Sequence, residues 1–182
     1  MSARTHYIQK AVYIVSWIIF IGVSVEAGGF IFNTFYTLFI NPEDAHKFYM
    51  QIDLSELYNY DQSRFVTLTS LMIIAAIMRA LMFYIIVKIF DDKKLNLAQP
   101  FNETVKGFVL KIAYLALGIG LFSYWGEKVT VRLVNQGIKM PDLQNLSLGG
   151  ADVWMFMGIT LLVIAEIFKK GIELQNENDL TV

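Results

Sequence analysis

The sequence predicts an all-α integral membrane protein, a bundle of four transmembrane helices with both termini in the cytoplasm. Of the 182 residues, 55% are hydrophobic, and the mean hydropathy is +0.49. Residues 11–40 include a single charged side chain, that of Glu26, whereas a soluble helix carries a polar face at a spacing of about 3.6 residues. Four such apolar stretches, each suited to a bilayer core of about 30 Å, predict one membrane-embedded domain over residues 1–182.

The first span is predicted at residues 11–40. At about 1.5 Å per residue this stretch is longer than the hydrocarbon layer, so we expect it to tilt or to project beyond the layer. Asn41 and Pro42 end it, because the residue before a proline disfavours the helical conformation. Residues 41–64 follow as a polar loop with an excess of acidic side chains, predicted to lie outside the cytoplasm.

The second span is predicted at residues 65–90 and the third at residues 104–125. A cytoplasmic connector, residues 91–103, joins them. Within the connector Pro100 stops any helix that continues from the second span, and Asn102 can cap the helix that follows.

The fourth span is predicted at residues 153–168, after a second extracytoplasmic loop at residues 126–152. Several glycines punctuate this loop. Its internal structure stays open, because residues 129–134 fit a strand or an amphipathic helix equally well. Gly171 can end the last helix, so residues 169–182 are predicted to form a polar cytoplasmic tail.

The lysines and arginines near the span ends set the predicted orientation, because cytoplasmic loops of membrane proteins carry an excess of them. Nine lie on the side of the termini and the connector, and five lie in the two loops. This distribution places both termini in the cytoplasm, and an even number of spans agrees with that placement.

Two opposite charges lie inside the spans, Glu26 in the first and Arg79 in the second. An ionised side chain is costly in lipid, so such residues usually face a partner or a cavity. Counting from the inner boundary places Glu26 about 10 Å further out than Arg79, a gap that tilt and two long side chains could close. Three readings stay open: a structural ion pair that fixes how the two spans pack, a proton or ligand site, or two charges that never meet.

Gly22, Gly29 and Asn33 share the helix face of Glu26 at steps of three and four residues. Small residues let another helix approach closely, and an amide offers hydrogen bonds where water is absent. This stripe is therefore predicted to face the interior of the bundle.

The composition excludes several classes of function. The absence of cysteine removes thiol catalysis, disulfides and thiolate metal sites, and a formal net charge of −1 provides no basic surface for direct nucleic-acid binding. No sequence arrangement typical of catalysis, phosphate binding or a metal centre is found. We therefore predict no enzyme, no catalytic residue, no cofactor and no metal. The lipid bilayer is the expected partner, and a homo-oligomer stays open.

The C-terminal part of the chain resembles a bacterial family. Residues 164–175, followed by residues 177–182, look like the C-terminal signature of the family catalogued as domain of unknown function 2975. The connector residues 95–101 resemble its proline–phenylalanine connector, and residues 53–58 are similar to the first loop of its Bacteroidota-like branch. The resemblance implies a four-span protein of the bacterial inner membrane with no established activity, often encoded beside a small helix-turn-helix regulator.

The preferred functional hypothesis is a non-enzymatic regulatory membrane protein that holds a small cytoplasmic helix-turn-helix regulator through its connector and tail. Apolar residues among acidic ones in the tail suit a basic partner. The predicted binding residues are Pro100 and Phe101 in the connector and Glu166, Gly171, Leu174, Asp179, Leu180 and Val182 in the tail. The alternative is a small transporter or sensor of an ion, proton or lipid that uses Glu26 and Arg79.

Overall fold

The computed structural model describes the backbone of residues 3–92 and 101–179, and the side chains of residues 7–92 and 101–177. Within these ranges the chain is mostly helical and has no β-strand. The five α-helices are α1 (Ala3–Phe39), α2 (Ser55–Tyr60), α3 (Gln62–Asp91), α4 (Glu103–Asn135) and α5 (Ala151–Asp179). Two short 3₁₀ helices, Pro42–Lys47 and Tyr49–Gln51, lie between α1 and α2.

Four of these helices are long and apolar enough to cross a membrane, over Tyr7–Phe39, Gln62–Asp91, Glu103–Asn135 and Ala151–Glu177. This confirms the predicted all-α class with four membrane-spanning segments. The described residues therefore belong to a multi-pass membrane protein.

The four long helices pack as an open row in the order α1, α3, α4, α5. In the described part of the chain, no Cα atom of α1 lies within 8 Å of one in α4 or α5. Within the most apolar window of each helix, 17% of the residues of α1 and of α5 are buried, against 28% in α3 and 33% in α4. The two outer helices of the row therefore present most of their apolar side chains outward.

Three of the helix ends follow from local sequence. Asn41 and Pro42 end α1, as predicted, and the Asn41 side chain accepts a hydrogen bond from the backbone of Glu43. Asn102 caps α4 by accepting from the backbone N–H of Val105 at 2.9 Å, again as predicted. Asp61 caps α3 in the same way.

The end of the third span differs from the prediction. The sequence predicts the second loop at residues 126–152, but α4 continues to Asn135, and residues 129–134 are helical. Gly126 lies inside α4 and does not break it. Its missing side chain makes room for Leu148, since a Cβ atom there would lie 2.5 Å from Leu148 Cδ1. We call residues 136–150 the α4–α5 loop.

Gly137 ends α4 instead. Its φ of +85° is the left-handed conformation that glycine adopts without strain. The N–H of Gly137 donates to Val134 O at 2.9 Å, and the N–H of Ile138 donates to Leu133 O at 3.1 Å. This pair of bonds is the Schellman motif, which satisfies the last carbonyls of a helix.

The last helix is also longer than predicted. Residues 169–182 were expected to form a polar tail after a helix end at Gly171, yet α5 continues as a helix to Asp179. Gly171 serves close packing here, because a Cβ atom on it would lie 2.5 Å from Cδ1 of Phe101. The residues after the predicted span therefore form a helical extension, which we call the α5 extension (residues 169–179).

Two apolar cores lie along the row. The larger one is at the end that carries the two loops, and it includes Phe30 of α1, Phe48, Phe65 of α3, Leu133 of α4 and Leu148 of the α4–α5 loop. The smaller core joins α3, α4 and α5 further along the row, around Met82, Ile112 and Ile119. We call the two ends of the molecule the loop end and the connector end.

Candidate functional site

Glu26 of α1 and Arg79 of α3 lie beside each other. Glu26 Oε2 is 4.0 Å from Arg79 Nη1, and the side chains are 23% and 16% exposed. The offset in depth that the residue count predicts is therefore bridged by the two long side chains. The structure places both charges next to the loop end.

Ser147 of the α4–α5 loop joins the two charged residues. Its hydroxyl group donates to Glu26 Oε1, and its carbonyl oxygen accepts from Arg79 Nη2 at 2.9 Å. Arg79 Nε also donates to Ala75 O, one turn back in α3, at 3.3 Å. A buried charge needs such partners. The three-residue cluster therefore joins α1 and α3 to the α4–α5 loop.

The neighbours of Ser147 explain how a loop residue is held at this depth. Leu146 and Leu148 are both fully buried in the loop-end core. Ser147 itself has a φ of +55°, a left-handed conformation that costs about 1–3 kcal/mol in a residue other than glycine. The buried leucines on either side offset this strain and orient the serine toward the ion pair.

A cavity of about 340 Å³ opens beside this cluster. Glu26 and Phe30 of α1, Tyr49 and Gln51 from between α1 and α2, and the α4–α5 loop all contribute to its wall. The rings of Phe30 and Tyr49 meet edge to face, with centroids 5.2 Å apart. The arrangement combines a carboxylate, an aromatic corner and side-chain amides, which is suited to binding a small polar molecule.

A second cavity of about 190 Å³ shares Gln51 and Asn145 with the first and is lined by Asp53, Glu56 and Lys139. The hydroxyl group and the backbone N–H of Ser55 donate to Asp53 Oδ1 at 2.6 and 3.0 Å. These bonds to the ionised form lower the pKa of Asp53. The Asp53 carboxylate is therefore charged at neutral pH, close to the cavity beside Glu26.

Of the predicted packing stripe of Gly22, Gly29 and Asn33, only a part packs against other elements. Gly29 packs closely, since a Cβ atom on it would lie 2.3 Å from the ring of Tyr49. Gly22 is exposed, and a Cβ atom there would meet no described atom within 4 Å, so the prediction for Gly22 is wrong. Asn33 donates to Gly29 O in its own helix at 2.8 Å instead of bonding across to another helix.

The predicted connector and tail residues meet at the connector end. The Phe101 ring packs against Gly171 and lies 5.4 Å, centroid to centroid, from the ring of Phe168. Glu166 pairs with Lys169 at 3.4 Å, and Leu174 is 61% exposed. Pro100, Leu180 and Val182 lie outside the described residues, as does the side chain of Asp179.

Sequence reasoning missed Ser147, Tyr49 and Gln51 as site residues. The α4–α5 loop has no helical periodicity that could place Ser147. A signal was present on either side of Ser147, because leucine is among the residue types most often fully buried and Leu146 and Leu148 flank it.

The chain was compared with models of known protein families, with curated proteins and with solved structures. The model of a family described as "Protein of unknown function (DUF2975)" matches residues 36–182. No curated protein and no solved structure matches the chain.

Proposed function

This chain belongs to the DUF2975 family of proteins of unknown function, and we propose that it is a non-enzymatic regulatory protein of the bacterial inner membrane. Its connector end faces the cytoplasm in this proposal, and the loop end lies on the outer side. The nine lysines and arginines at the connector end, against five at the loop end, support this orientation.

The observation that carries the proposal is the α5 extension. It continues as a helix past the predicted span of residues 153–168, and the contact of Phe101 with Gly171 anchors it to the residues just before α4. Residues 171–182 carry three acidic side chains and no basic one. An anchored acidic helix with an exposed Leu174 offers charge and apolar contact to a basic partner.

The partner in this proposal is a small cytoplasmic helix-turn-helix regulator, whose DNA-binding surface is basic. Binding to the α5 extension would compete with binding to DNA and would hold the regulator at the membrane. Phe101 and Gly171 position the binding helix, while Glu173 and Leu174 contact the partner.

Deleting residues 172–182 is expected to abolish co-purification of the regulator, because it removes most of the acidic helix. The double substitution Glu173→Lys and Leu174→Gln should reduce the amount recovered by about tenfold, since it reverses one charge and removes one apolar contact. The measurement is affinity purification of the full chain from membranes, with identification of bound proteins by mass spectrometry.

The matched control is Glu43→Lys with Ile40→Gln, which changes the same residue chemistry at the loop end, where Ile40 is 60% exposed. It should retain the regulator. Recovery of the same small DNA-binding protein with the deleted chain would contradict the proposal.

The alternative function, a small transporter or sensor of an ion, proton or lipid, is supported by the cavity next to Glu26 and Arg79. Arg79 is bonded to two carbonyl oxygens and Glu26 to a hydroxyl group. Side chains held by such bonds are better suited to a sensor, which binds a ligand, than to a transporter, in which an ion or proton moves along a path.

A further inference from the structure

We propose that the cavity beside Glu26 is a binding site for a small ligand that carries an ammonium group. The site lies at the loop end, opposite the α5 extension, so the inference goes beyond the proposed cytoplasmic partner and stands without it. It would give the protein a second binding function on its other face.

Backbone conformation first singles out this cavity. In the described part of the chain, three residues other than glycine have a left-handed φ: Met50 at 54°, Gln51 at 64° and Ser147 at 55°. All three line this cavity. They come from two segments far apart in the sequence, so one strained turn does not account for them. Strained backbone persists where the surrounding structure enforces it, and it clusters at ligand sites.

Charge then defines the ligand class. Among the described residues that line the cavity, Glu26 is the charged one, and its counter-charge Arg79 is not part of the lining. Its 4.0 Å separation from Arg79 Nη1 is longer than a hydrogen bond. The Ser147 hydroxyl group uses one of the roughly four acceptor positions of a carboxylate. Acceptor capacity therefore remains for a cationic donor from the cavity.

The remaining wall fits the same chemistry. The aromatic corner of Phe30 and Tyr49 can contact a cation or the carbon atoms next to it. The amides of Gln51, Gln144 and Asn145 can bond to further polar groups of the ligand. A volume of about 340 Å³ admits a small organic molecule. The adjoining cavity carries two carboxylates, Asp53 and Glu56, against one lysine, Lys139, so its net charge is also negative.

Two sources can supply the ammonium group: a free small amine, or the headgroup of phosphatidylethanolamine. The full-length protein in nanodiscs of phosphatidylglycerol alone is titrated calorimetrically with ethanolamine and putrescine. Ethylene glycol and 1,4-butanediol are the uncharged controls of matched size. A second preparation with phosphatidylethanolamine is analysed for bound lipid by native mass spectrometry.

Binding of the amines, at least about tenfold tighter than that of the matched alcohols, supports the proposal with a free amine as ligand. Retention of phosphatidylethanolamine over phosphatidylglycerol, without amine binding, supports it with a lipid headgroup as ligand. If the protein prefers neither amines nor phosphatidylethanolamine, the proposal is overturned.

Two variants locate the binding. Glu26→Gln is expected to weaken binding of the ammonium ligand by about tenfold or more, because it removes the negative charge. Asn145→Trp fills the cavity from its exposed rim and leaves both Glu26 and Arg79 in the chain, so it should abolish binding even if Glu26→Gln does not fold. Asn135→Trp, at the exposed end of α4, is the control and should bind as the wild type does. Unchanged binding in Asn145→Trp would overturn the proposal.

Discussion

Replacing Arg79 by leucine is expected to lower the free energy of unfolding by about 3–5 kcal/mol, because it leaves a partly buried carboxylate without its counter-charge. The substitution also removes the donor to the carbonyl oxygen of Ser147. Replacing both Glu26 and Arg79 by leucine should cost less than the sum of the two single changes. The difference between that sum and the cost of the double substitution is the interaction energy of the pair, and we expect it to be about 0.5–3 kcal/mol.

The measurement is a double-mutant cycle of unfolding by denaturant in detergent micelles. Lys106→Leu is the control: Lys106 lies only 2.7 Å from Glu103, and the two side chains are 21% and 70% exposed. Because its carboxylate is solvated, this pair should contribute about 0–1 kcal/mol despite its short distance. The structural role assigned to the Glu26–Arg79 pair is wrong if Arg79→Leu is no more destabilising than Lys106→Leu, or if the two leucine substitutions are additive.

Replacing Gly126 by leucine is expected to destabilise the protein by about 1–3 kcal/mol, because the new side chain occupies the space of Leu148. The Cβ atom alone would lie 2.5 Å from Leu148 Cδ1. Displacing Leu148 moves the α4–α5 loop and, with it, Ser147. The substitution should therefore weaken the ion pair from a distance as well as strain α4.

Gly107→Leu is the matched control within the same helix, since a Cβ atom on Gly107 would meet no described atom within 4 Å. Leucine favours a helix over glycine by up to about 1 kcal/mol, so this variant should be as stable as the wild type or slightly more stable. Thermal unfolding of both variants in the same detergent measures the difference. Equal stability of the two variants would contradict the packing role of Gly126.

The positions of the membrane-spanning helices could be predicted because hydropathy and length are properties of each segment alone. The helix end at Asn41 and Pro42 and the cap at Asn102 were predictable for the same reason, since they depend on a few neighbouring residues. That α4 continues through Gly126 and α5 through Gly171 could not be predicted in this way. A glycine that breaks a helix and one that admits a neighbouring side chain look the same in a single sequence.

The candidate site was predictable in its charges but not in its geometry. Glu26 and Arg79 stand out because charge is rare in a span. Their common partner, Ser147, is 121 positions from Glu26, and only tertiary packing of its leucine neighbours brings it there. The open order of the helices likewise depends on packing between segments, which hydropathy does not encode.

The central claim is that the two ends of the molecule face opposite sides of the membrane, the α5 extension inward and the cavity beside Glu26 outward. The chain contains no cysteine. A single cysteine introduced at exposed Asp142 or at exposed Gln175 therefore shows on which side of the membrane that position lies. The most direct measurement is labelling of intact bacterial cells with a membrane-impermeant maleimide. We expect Asp142→Cys to be labelled in intact cells, and Gln175→Cys to be labelled only after permeabilisation. Labelling of Gln175→Cys in intact cells, or the same behaviour of both variants, would contradict the account.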